Sequence, residues 1–148
     1  MLSELKKSLT KFFEKNTHRN LLQFMPSFQS IINHNKIFFK KEPLKGTYTR
    51  DILFRTNNYE IILITWGSHS ETKIHCHPKN GCLLTVLEGQ IREERYDHND
   101  VFYEMNILNR CDFGYMHCDL GKHKVINPND YNCYTLHIYS PPGFYDKN

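Results

Sequence analysis

The chain reads as an all-β domain, a sandwich or closed barrel, behind a short helical segment. Three observations lead there. After Pro43 the sequence breaks into short runs of β-branched, aromatic and aliphatic residues separated by turn formers. Before Pro43, apolar residues recur at helical spacing instead. The length, 148 residues, suits one domain with a single sizeable core.

The helical segment comes first. In "MLSELKKSLTKFFEKN", Leu2, Leu5, Leu9 and Phe12 recur at helical spacing as the buried side. The lysines read as the solvated face of the same amphipathic helix. A second helix is expected over about "HRNLLQFMPSFQSIINH", with Pro26 breaking it in the middle. Residues 1–42 are thus a helical lead-in and 43–142 the β core of one domain, 1–148. The core runs are "YEIILITWG", "TKIHCH", "CLLTVLEG", "QIREERYD", "DVFYEMNIL", "HKVIN" and "CYTLHIYS". Between them, "GSHS", "PKNG", "HND" and "NPND" turn the chain. Short strands turning every few residues favour a sandwich or barrel.

Composition narrows the function. A net charge of +3 implies no strong polyanion partner, so no nucleic acid is expected. No apolar run approaches the roughly 20 residues that span a bilayer, and the N-terminus lacks a signal peptide's order of features. Five cysteines, an odd and irregularly spaced set, argue against a disulfide framework. We therefore expect a cytoplasmic monomer without a membrane partner.

The chemistry concentrates in "HCHPKNGCLLTVLEG", residues 75–89. On an extended chain His75 and His77 share one face. Downstream, "FGYMHCDLGKHKVIN" adds His123 between Gly121 and Asn127. Three neutral imidazoles can cap one face of a divalent metal and leave the opposite face open. His18 and His34 fall in the lead-in, and His69 and His98 in turns. His117, Cys118, Cys111 and His123 are residue types that ligate zinc, though their spacing matches no zinc-finger pattern.

The two segments resemble the paired short motifs of the cupin superfamily. In the first, Gly67, His75, His77 and Gly89 match, and Cys82 stands where a glutamate is usual. In the second, Gly114, Gly121, His123 and Asn127 match, with Leu120 near a common proline. The resemblance implies a cupin-type jelly-roll barrel. Without the glutamate the site is one unit more positive, which favours an anionic ligand such as a thiolate.

Further segments narrow the likeness to cysteine dioxygenase, over roughly residues 45 to 142. "GTYTRDILF" is similar to the family segment whose arginine binds the substrate carboxylate, assigning that role to Arg50 with Tyr48 beside it. "YTLHIYSPP" resembles a serine–x–histidine–x–tyrosine–serine–proline–proline run, with Thr135 replacing the serine ahead of His137 and Tyr139. Cys82 and Tyr139 match a pair that forms a thioether in eukaryotic-type members. Taken singly, Arg50 could be a surface cation paired with a carboxylate, Cys82 a core cysteine and Tyr139 barrel filling.

Taken together, the resemblance implies an iron(II)-dependent thiol dioxygenase that converts L-cysteine and O2 to cysteine sulfinate. It places Fe(2+) on His75, His77 and His123 and the carboxylate on Arg50 and Tyr48. Tyr139, oriented by His137 and Thr135, directs its hydroxyl at the oxygen side. Related 3-mercaptopropionate dioxygenases carry glutamine in place of Arg50, so cysteine is the expected substrate. Alternatives are another small thiol (3-mercaptopropionate or cysteamine) or a non-catalytic metal-binding cupin. The chain ends after "YSPPGFYDKN", earlier than family members usually do. Metal binding is expected to survive that shortening, with substrate selectivity less secure.

Overall fold

Two helices precede eight strands in a computed structural model that describes residues 1–34 and 42–146. The last part of the expected lead-in, 35–41, lies outside the described residues. Helix α1 (Leu2–Phe13) buries Leu5, Leu9 and Phe13. Phe12 is only half-buried. Its ring packs edge-on against Phe13 and Phe24, with the Arg19 guanidinium 4.0 Å from its centre.

The second helical stretch divides. A single-turn helix, Leu21–Phe24, starts where the Asn20 side chain accepts the Leu22 N–H at 2.8 Å. Helix α2 (Met25–Asn33) follows directly. Pro26 therefore lies in the first turn of α2 and does not break a longer helix. Its missing N–H would have no partner there in any case.

Strands β1 (Tyr48–Arg55), β2 (Glu60–Trp66), β3 (Gly81–Glu88), β4 (Ile91–Tyr96), β5 (Phe102–Leu108), β6 (Phe113–Met116), β7 (Lys122–Ile126) and β8 (Cys133–Ser140) form two antiparallel sheets. One has the order β1-β2-β8-β3-β6 and the other β5-β4-β7. β1 and β6 fall outside the seven runs singled out by composition. β6 is four residues long and holds a glycine, which leaves little pattern to read.

The five-stranded sheet is covered on both faces. Outside, α1, α2 and the single-turn helix pack Leu5, Leu9, Phe24 and Phe28 onto Ile61, Leu83, Leu136 and Ile138. Inside, Ile62, Ile64, Trp66, Leu84 and Val86 meet Ile91, Leu108 and Val125 from the smaller sheet. Burial on both faces explains why β2, β3 and β8 read as continuous apolar runs rather than alternating ones.

"TKIHCH" differs from expectation. It is no strand but an extended segment tied down by two isolated bridges, Glu71 to Ile126 and His75 to His123. Pro78, directly after His77, has no N–H to continue a ladder. None of the five cysteines is in a disulfide. Among the described residues, no helix is long and apolar enough to cross a membrane.

Candidate active site

Between the sheets lies an open cavity of about 930 Å³, lined among others by Tyr48, Arg50, His75, His123, His137 and Tyr139. The extended segment and β7 bring their histidines to one corner. His75 and His123 exchange backbone hydrogen bonds, the His75 N–H to the His123 carbonyl at 2.9 Å and the return bond at 3.1 Å. That pairing sets the two rings side by side, and His77 joins them from two residues further on. The His123 Nε2 atom lies 2.9 Å from His77 Nε2 and 3.0 Å from His75 Nε2.

These nitrogens are arranged as metal ligands. His75 Nδ1–H donates to the Lys73 carbonyl at 2.8 Å, and His123 Nδ1–H to the Glu93 carboxylate at 2.8 Å. In the neutral rings each Nε2 then carries a lone pair, and two lone pairs 3.0 Å apart cannot hydrogen-bond to each other. His77 Nδ1 is buried without a hydrogen-bond partner. Burial above all pushes His75 down to about 3 and His77 well below its ordinary value. Imidazoles whose Nε2 atoms converge in this way fit a divalent cation.

Glu93 stands behind this group on the inward face of β4. Arg95 Nε–H donates to it at 2.9 Å and Asn106 Nδ2–H at 3.1 Å. Burial alone would raise its carboxyl. The hydrogen bond from His123 and the Arg95 guanidinium outweigh that and hold it at about 2. A carboxylate is thus present, one layer behind the imidazoles, although Cys82 stands in the usual glutamate position.

On β8, Thr135, His137 and Tyr139 share one face and form a chain of hydrogen bonds. Trp66 Nε1–H donates to Thr135 Oγ1 at 2.8 Å. Thr135 Oγ1 is 2.7 Å from His137 Nε2, and His137 Nδ1 is 3.1 Å from the Tyr139 hydroxyl. The Thr135 hydroxyl therefore accepts from the indole and also hydrogen-bonds to the imidazole. His137 thus links Thr135 to the Tyr139 hydroxyl, which also hydrogen-bonds with the Cys82 side chain. Burial holds His137 well below its ordinary value and raises Tyr139. Cys82 faces Tyr139 directly across the β3–β8 ladder, its sulfur 3.7 Å from His137 Nδ1. Burial pushes that thiol up.

Tyr48 and Arg50 share a face of β1. The Tyr48 ring packs on Trp66 with centroids 5.0 Å apart. Arg50 is solvent-accessible, yet its guanidinium lies over the Tyr139 ring at 5.7 Å and the Tyr145 ring at 4.9 Å. Among the described residues it pairs with no carboxylate.

The arrangement can be set beside known proteins. Residues 1–147 match the family described as cysteine dioxygenase type I. The chain belongs to that family. Cysteine dioxygenase type 1 of Danio rerio is 27% identical over 152 residues, covering 95% of this chain and 75% of that one. The Rattus norvegicus protein of the same name is 27% identical over 103 residues, 64% of this chain and 52% of that one. The chain thus matches about half the length of that mammalian relative. An RmlC-like cupin of double-stranded β-helix fold from Methanocaldococcus jannaschii superposes with a TM-score of 0.54 at 16% identity, covering 73% and 92% of the two chains. That likeness supports the jelly-roll barrel.

In this cysteine dioxygenase family member, His75, His123, Arg50, Tyr48, His137 and Tyr139 border one space, with His77 against His123 and Cys82 and Thr135 against His137. The four-residue zinc alternative does not assemble. His123 is with the other imidazoles, and a separate surface group consists of His117, Cys118 and Asp119. Glu93, Trp66 and Tyr145 escaped the sequence reading. For Glu93 a signal existed, because Ile91 and Glu93 alternate onto one face of β4, so a charge occupies an inward register.

Proposed function

We propose that the protein is an iron(II)-dependent thiol dioxygenase acting on L-cysteine. The observation that carries the proposal is the meeting of three imidazole Nε2 atoms, two of them on rings that line the cavity Arg50 overlooks. Overall, cysteine and O2 give cysteine sulfinate, with both oxygen atoms ending on sulfur.

His75, His77 and His123 would hold the iron, which supplies Lewis acidity toward the thiol and one-electron chemistry toward dioxygen. Arg50 receives the carboxylate in its planar, permanently charged fork, beside the Tyr48 phenol. His137 holds the Tyr139 phenol in place at the cavity surface. Ile64, Trp66 and Val125 make the neighbouring wall apolar and limit water there. Fixing both reactants in one place removes much of the entropic barrier. The cross-strand Cys82–Tyr139 pair supports a thioether, formed by losing two hydrogens to dioxygen as oxidant.

Iron-loaded protein should consume oxygen and form sulfinate only when cysteine is added, with ¹⁸O2 labelling both product oxygens. Product no greater than that from free iron would sink the proposal. Arg50→Ala should raise KM for cysteine at least tenfold, about 1.4 kcal/mol or more, with iron content unchanged. Intact mass after turnover should fall by two hydrogens, and Cys82→Ala should remove that shift.

A further inference from the structure

Tyr145 touches several parts of the site and was assigned no role. It lies beyond β8 and, with Phe144, lines the cavity. Its hydroxyl donates to the Cys76 carbonyl at 2.6 Å, between the two ligand histidines. Its ring stands edge-on to His75 and Tyr139, with centroids 5.7 and 5.2 Å apart. The next residue, Asp146, is gripped by both Arg55 terminal nitrogens at 2.8 and 2.9 Å. Tyr145 is therefore fastened at its hydroxyl to the ligand segment and through its neighbour to β1.

Arg50 needs such a contact. It sits on an edge strand, is open to solvent, and has no carboxylate partner among the described residues. A free arginine there has many rotamers, most of them directed outward. Tyr145 and Tyr139 offer their faces to the guanidinium at 4.9 and 5.7 Å, which keeps it over the cavity without using its N–H groups. A carboxylate partner would compete with substrate for those donors; an aromatic face does not.

We infer that Tyr145 is a specificity-determining residue, positioning Arg50 so that the site selects thiols bearing a carboxylate. The inference rests on the proposed thiol-binding role of the site. Its effect is confined to the carboxylate, since the thiol and amine of the substrate lie toward the histidines.

The test measures dissociation constants of L-cysteine and of cysteamine, which lacks the carboxylate, for iron-loaded protein under argon. Tyr145→Leu should weaken L-cysteine about tenfold and cysteamine less than twofold. Tyr145→Phe, which keeps the ring, should retain most of the discrimination. Asp146→Asn, which loosens the fastening without altering the ring, should lie between them. Equal weakening of both ligands, unchanged L-cysteine binding, or no binding of L-cysteine by the wild type would overturn the inference. Wild-type binding and discrimination without turnover would instead overturn the dioxygenase proposal and leave the role of Tyr145 standing.

Discussion

His123 and His75 differ in what stands behind them. A backbone carbonyl orients His75, whereas a buried carboxylate, itself held by Arg95 and Asn106, orients His123. Glu93 thus fixes the proton on Nδ1 and adds negative charge behind that imidazole. Glu93→Gln should weaken metal binding about 10–100-fold, read by competition with a chelator. A second consequence concerns pH in the metal-free protein. The native state keeps His75, His77 and His137 neutral, far below the ordinary value of 6.5. Below about pH 6.5 the unfolded chain takes up protons that the native state refuses, so stability is full above that pH and falls with acidity. Each group contributes up to about 1.4 kcal/mol per pH unit, and His137→Gln should flatten the decline in urea midpoints between pH 6.5 and 5. The strand period was enough to put Glu93 on an inward face, but nothing local showed its partners Asn106 and His123, which lie on β5 and β7.

At the scale of elements, Gly121 controls how β7 begins. Its φ is +107°, and an added Cβ would run into the Tyr96 carbonyl oxygen. That carbonyl belongs to β4, the strand on which β7 must register to bring His123 opposite Arg95. Gly121→Ala should cost at least about 2 kcal/mol in urea unfolding and reduce metal retention in the folded fraction. Two elements differ from their sequence reading for related reasons. Pro26 interrupts a helical pattern on paper, yet it suits a first turn where no N–H is needed. "TKIHCH" alternates like a strand, yet its one paired residue in the ligand stretch is His75. Propensity identified an extended chain there, and only the neighbouring backbone decided how much of it pairs.

Across the molecule, the five-stranded sheet separates two apolar clusters. The helices cover one face, and the site occupies the other. A metal bound only by the native state should therefore stabilise the whole barrel. At a free concentration 100 times its Kd the gain is about 2.7 kcal/mol. Chelator treatment should lower Tm, and added iron(II) should restore it. An unchanged Tm would show that the three imidazoles do not hold iron in the folded protein.

Spacing along the chain determined the all-β core, the helical lead-in, and the shared face of His75 and His77. It also determined the shared face of Thr135, His137 and Tyr139, because these are properties of periods two and 3.6 within a few residues. The resemblance to cysteine dioxygenase motifs added which of these residues belong to one site. Tertiary structure alone decided that His123 meets His75 and His77, 48 and 46 residues away. It also decided that Glu93 meets His123 and that Tyr145 meets Arg50. The physical reason is common to all three. Each contact joins segments that are far apart in the chain, so it depends on sheet register and burial, which no local period encodes.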